Sequence, residues 1–179
     1  MVISMIYFIN IIIGLLFIGF DLLGYNNNLL KYLVSFNSLT YLIIKKANIY
    51  VILAMAFAFI ADYFLLFSDL YILGIILFIL VQITYMHLLN YHNYLPLCLL
   101  IFIFIDPLIT LALIYLCFSL LNLYHSYPIS KSFFTSILLL LLCDITIGLV
   151  FLKIVDPSWF IFIWIFYLPS QLFFIFSFL

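Results

Sequence analysis

Residues 47–67 read ANIYVILAMAFAFIADYFLLF, and residues 133–152 read FFTSILLLLLCDITIGLVFL; each is an apolar run with one carboxylate set inside it. A bilayer's hydrocarbon core is about 30 Å thick and takes about 20 apolar residues to cross as a helix. Both runs meet that length. An ionisable group at bilayer depth costs at least roughly 2.5 to 3.5 kcal/mol on insertion scales, so Asp62 and Asp144 each mark a candidate functional position. Two of them predict a shared polar site.

The composition places these runs in a membrane. Hydrophobic residues make up 71% of the 179 and charged residues 6%, whereas soluble domains carry about 25% charge. Mean hydropathy is +1.50. The charged residues are five Lys and six Asp, with no Arg or Glu. The expectation is an all-α, polytopic transmembrane helix bundle, a single integral membrane domain over residues 1–179. It has room for about eight spans, or seven, and for no soluble domain. A net charge of -1 supplies no basic patch, so nucleic acid is excluded as a partner and the lipid bilayer is the expected one. Oligomeric state is not legible.

Polar clusters punctuate the apolar runs. Met1 to Phe20 reads as a first span rather than a secretory signal, since no Lys precedes it and no small-x-small cleavage site follows. Asp21 to Lys31 is a loop, and span two, about Leu29 to Ile44, carries Ser35, Asn37, Ser38 and Thr40. So many polar groups predict a helix that faces other helices. Span three is Ala47 to Phe67, Ser68-Asp69 a turn, and span four Tyr71 to Leu89. Leu95 to Leu121 is interrupted by Asp106-Pro107, where an Asp caps the helix that follows, and this predicts two short spans. One helix kinked at Pro107 is the alternative, with seven spans in all. Asn122 to Ser132 reads as a loop, Phe133 to Leu152 as span seven and Ser158 to Leu179 as the last.

The order Asp, turn, then an aromatic residue four before a Gln occurs twice: Asp62 with Phe78 and Gln82, and Asp144 with Tyr167 and Gln171. This predicts two four-helix repeats related by an axis along the membrane normal, a transporter-like arrangement. With eight spans the two Asp helices run the same way and the carboxylates share a leaflet. Lys45, Lys46 and Lys131 then lie on the N-terminal side and Lys31 and Lys153 opposite, which barely favours a cytoplasmic N-terminus.

Ala61 to Leu66, the helix Gly74 to Tyr85 with Phe78, Gln82 and Tyr85, the pair Cys143-Asp144, and Phe166 to Gln171 together resemble the YhhN family of multispan membrane proteins, whose animal members are lysoplasmalogenases. The resemblance covers about Lys31 to Ser177. Ala61 stands where Gly is usual before the Asp, Gln82 where many members have His, and Cys143 where Ser is usual. It implies eight helices, a bacterial cell-membrane location, and hydrolysis of a lysoplasmalogen vinyl ether to an aldehyde and a glycerophospho head group. Asp62 and Asp144 match the family's intramembrane Asp positions and become the expected acid and base, unassigned between them. Gln82, Tyr85, Tyr167 and Gln171 become the expected substrate contacts.

The chemistry suits two carboxylates in its own right, because a vinyl ether is cleaved by protonating its alkene carbon and adding water to the oxocarbenium ion formed. Neighbouring carboxylates resist double ionisation, so one of them would hold the proton. The same pair would also serve a small transporter or channel that binds a cation or relays protons. No cofactor and no metal is expected: His87 and His92 miss the one-turn spacing of helix ligands, and Cys98, Cys117 and Cys143 show no C-x-x-C spacing. Asp69, Asp106 and Asp156 read as caps and turn residues. Ser170 lacks a G-x-S-x-G context, and Pro169 predicts a backbone carbonyl satisfied by a polar neighbour.

Overall fold

The computed structural model describes residues 2–25 and 27–178, and these form a helical bundle with no strand among them. Seven α-helices follow in order: α1 (Val2–Leu22), α2 (Asn28–Ile44), α3 (Ile49–Phe67), α4 (Tyr71–Leu88), α5 (Pro107–Ser126), α6 (Lys131–Phe151) and α7 (Phe160–Ser177). Short 3-10 helices cover Leu95–Phe102 and Pro157–Trp159. Helices α3 to α7 are each long and apolar enough to cross a membrane, which makes the chain a multi-pass membrane protein. Helix α2 has 17 residues.

Local chemistry sets the helix ends. Asn48, Asp106 and Ser130 cap α3, α5 and α6 by accepting from the backbone N–H of Tyr50, Ile109 and Phe133. Past the C-terminal ends of α2, α4 and α6, Lys46, Asn90 and Lys153 adopt φ of 52°, 55° and 55°. The next residue then returns its N–H to the last turn, as Ala47 to Leu42, Tyr91 to Met86 and Ile154 to Leu149. This is the left-handed closure usually given to glycine. Two of the three positions hold Lys, whose charge suits a helix C-terminus.

Side-chain pairs fix the helix directions. Pairs Asn10–Ser38, Phe36–Phe59 and Gly74–Leu65 belong to the antiparallel hairpins α1–α2, α2–α3 and α3–α4. Helices α4 and α5, by contrast, run the same way: Phe78 meets Tyr115, and Gln82 meets Asn122. The segment between them therefore travels back along the bundle before α5 begins. It does so largely as the 3-10 helix Leu95–Phe102, whose rise of about 2.0 Å per residue covers more distance than an α-helix of equal length. The split at Asp106-Pro107 is present as expected, and Asp106 caps α5; the shorter piece is 3-10 rather than α-helical. Helices α5, α6 and α7 alternate again, through Tyr127–Phe134 and Ser136–Ser170. Consequently α3 and α6 share one direction, and so do α2, α4, α5 and α7.

Close packing relies on small residues, since lipid gives helices no hydrophobic reason to associate. Ala54, Ala58 and Ala61 line the buried face of α3. A Cβ added at Gly74 of α4 would stand 2.8 Å from Leu65 Cδ2. The outer surface is apolar, with Phe104, Ile105 and Ile101 among its most exposed side chains. Asn122 corrects the expected loop at Asn122 to Ser132: α5 runs on to Ser126 and Asn122 is wholly buried. Its polarity marks a buried hydrogen bond, not contact with water.

Candidate functional site

Asp62 lies on the inward face of α3, one turn beyond Ala58. Its Oδ2 accepts hydrogen bonds from the Ser35 hydroxyl of α2 and the Tyr167 hydroxyl of α7, and those two hydroxyls are 3.3 Å apart. Three helices thus converge on one carboxylate. On α6, Asp144 Oδ2 accepts from the Tyr115 hydroxyl of α5. The two carboxylates lie within electrostatic range of each other, and Cys143 lies within range of both. Asp62 is buried and Asp144 half-buried. At about 1.5 Å per residue they sit about 8 Å and about 11 Å from the C-terminal ends of their parallel helices.

A directed chain of hydrogen bonds leads from Tyr91, just past the C-terminal end of α4, to Gln82. The Tyr91 hydroxyl donates to Asn122 Oδ1 at 2.6 Å, which commits the Asn122 amide nitrogen to donating elsewhere. That nitrogen donates to Gln82 Oε1 at 2.7 Å and to the Gln82 carbonyl at 2.9 Å. Gln82 is wholly buried, and its Nε2 has no closed hydrogen bond. Its side chain stands beside the Tyr115 hydroxyl that holds Asp144, as does Ser119. Gln171 is also buried, with Oε1 unpartnered. Tyr85 and Phe174 touch at 5.3 Å on the parallel helices α4 and α7, and Gln82 and Gln171 each precede one of them by three residues. The two amides therefore lie at one level.

All six residues singled out from the sequence point into the bundle, in different roles. Tyr167 bonds Asp62 directly. Tyr85 packs its ring against Phe133 and Phe174, within electrostatic range of Asp144. Ser35, Tyr115, Asn122 and Tyr91 were not foreseen as site residues. Tyr115 had a visible signal, as the one hydroxyl-bearing aromatic within Leu111 to Leu121. Ser170 exchanges hydrogen bonds with Ser136 across α6 and α7, each hydroxyl donating to the other residue's carbonyl at 2.9 to 3.0 Å. The carbonyl that Pro169 leaves without its helical donor is that of Ile165, four residues earlier, so the Ser136–Ser170 pair is a separate contact. His87 and His92 pack edge to face at 4.9 Å, and no cluster of three metal-binding side chains occurs among the described residues. Asp156 accepts from the Ser158 N–H at 2.8 Å, as a turn residue does.

Compared with protein-family models, curated proteins and solved structures, the chain finds no match.

Proposed function

We propose that this membrane protein is a lipid ether hydrolase of the YhhN type, cleaving the vinyl ether of a lysoplasmalogen with Asp62 and Asp144 as the acid and base. The observation that carries this reading is the pair of intramembrane carboxylates on helices of one direction, each gripped through Oδ2 by a tyrosine hydroxyl. Oδ1 of each is left to meet a substrate. One carboxyl delivers its proton to the alkene carbon distal to the ether oxygen. The other takes a proton from water as the water oxygen bonds to the oxocarbenium carbon, and the hemiacetal formed breaks its C–O bond to release aldehyde and the alcohol of the head group. Gln82 and Gln171, with amide atoms still to be satisfied, orient the water and the ether oxygen.

Eight crossings accompany this reading, with 89–106 as the fifth. Two halves of four follow: Ser35 on the helix before Asp62 corresponds to Tyr115 on the helix before Asp144, and Tyr167 crossing to Ser35 corresponds to Phe78 crossing to Tyr115. That paired arrangement also favours a second reading, in which the carboxylates bind a cation or proton in a small transporter.

Protein purified in maltoside and offered a lysoplasmalogen should release aldehyde. Asp62→Asn and Asp144→Asn should each lower the rate at least about a hundredfold, the scale of a lost general acid or base. Ion-dependent flux in liposomes without aldehyde release replaces the hydrolase with the transporter.

A further inference from the structure

One turn along α2 from Ser35, toward the membrane edge, Lys31 is 9% exposed. Its Nζ lies 2.9 and 3.0 Å from the two carboxylate oxygens of Asp21 and 4.7 Å from the centre of the Trp164 ring. Trp164 in turn packs against Tyr167, with ring centres 5.8 Å apart. The site thus has two layers: Lys31, Asp21 and Trp164 above, Ser35, Tyr167 and Asp62 below. They are one helical turn apart, about 5 to 6 Å. Asp21 occupies the last turn of α1, where the helix dipole disfavours a carboxylate. Its position is explained by Lys31, and Gly24, at φ +78°, opens the turn just beyond it. An open groove bordered by Phe20, Tyr25, Asn27, Leu29 and Leu30 lies at the same turn.

We propose that Lys31 is the anchor for a phosphate ester, the head-group phosphate of a lysolipid, and that Asp21 occupies its place until the lipid arrives. The inference deepens the hydrolase reading and rests on it for the position of the ether bond. In a lysophospholipid the phosphorus and the ether oxygen on the first glycerol carbon are separated by about the same helical turn. With the phosphate on Lys31, the ether therefore reaches the depth of Asp62. An anion displaces an anion, so the buried ammonium is never left unpaired.

The test uses a lysophospholipid with a saturated ether, which binds without being cleaved, and follows tryptophan fluorescence in maltoside. A Trp159→Phe background leaves Trp164 as the reporter. Lys31→Met should weaken binding at least about tenfold, the scale of one charge-assisted hydrogen bond, and Lys31→Arg should retain it. Asp21→Asn, which removes the internal competitor, should tighten it several-fold. A 1-O-alkylglycerol without phosphate should respond to neither change. If Asp21→Asn and Lys31→Met both weaken binding, or the phosphate-free lipid follows the same pattern, Lys31–Asp21 is a structural ion pair and the proposal falls. Glycerol 3-phosphate binding as tightly as the lipid overturns the lipid assignment in favour of a soluble phosphate. Lys31-dependent binding without aldehyde release from a vinyl ether removes the hydrolase and keeps the anchor.

Discussion

Replacing Asn122 with Leu keeps the number and branching of side-chain heavy atoms and removes every hydrogen bond that ties Asn122 of α5 to Gln82 and Tyr91. The amide makes three: one from Tyr91 and two to Gln82. Interhelical hydrogen bonds inside membranes average roughly 0.6 kcal/mol, so the expected loss is roughly 2 kcal/mol. Tyr91→Phe removes one of the three and should cost about a third as much. In the Asn122→Leu background Tyr91→Phe should add nothing, because its acceptor is already gone. The assay is the unfolding midpoint in mixed maltoside and dodecyl sulfate micelles for the two single variants and the double. Full additivity, or an Asn122→Leu cost no larger than Tyr91→Phe, would refute the directed chain. A further consequence separates the chain from simple packing: Gln82 loses the partner that orients it, so aldehyde release should fall more steeply than stability in Asn122→Leu.

A methyl at Gly14 would lie 2.2 Å from Leu168 Cδ2, the mobile end of its side chain. Gly14→Ala should therefore cost less than about 1 kcal/mol, whereas Gly14→Ile, which must push α1 from α7, should cost roughly 1 to 3 kcal/mol by thermal unfolding in micelles; equal costs would contradict the packing. Asp106→Ala should lower stability by about 1 kcal/mol through the lost cap of α5, and Asp106→Asn by much less, since its amide oxygen still accepts from Ile109. Asp156, outside the spans, has its carboxyl held below the ordinary range first by the Ser158 N–H and then by the Ser158 hydroxyl. Its contribution is full above about pH 4 and is lost as the pH falls through the lowered value, so thermal midpoints of wild type and Asp156→Asn should converge in acid.

Helix positions were largely legible because the signals are local. Long apolar runs, the Asp106-Pro107 break and the polar turn after Phe67 each express a requirement of a few adjacent residues. The site was legible in part. Asp62 and Asp144 stand out because a carboxylate in hydrocarbon is costly wherever its partners lie. Ser35, one of several polar groups of its helix, and Tyr115, a lone hydroxyl in an apolar one, hold them through contacts 27 and 29 positions away in the chain, and those pairings no local signal assigns. Asn122 was misread for the same reason: polarity in a sequence looks alike whether water or a buried amide satisfies it.

Composition and hydropathy by themselves determined a helical, membrane-embedded chain with two carboxylates in its apolar runs, because a backbone without water must satisfy its own hydrogen bonds and a charge there has no incidental place. Tertiary structure alone decided that α4 and α5 run together, that the return path between them is a 3-10 helix, and that Lys31 lies one turn above Asp62. Those relations depend on which helix faces meet, and the meeting is set by packing among residues far apart in the chain.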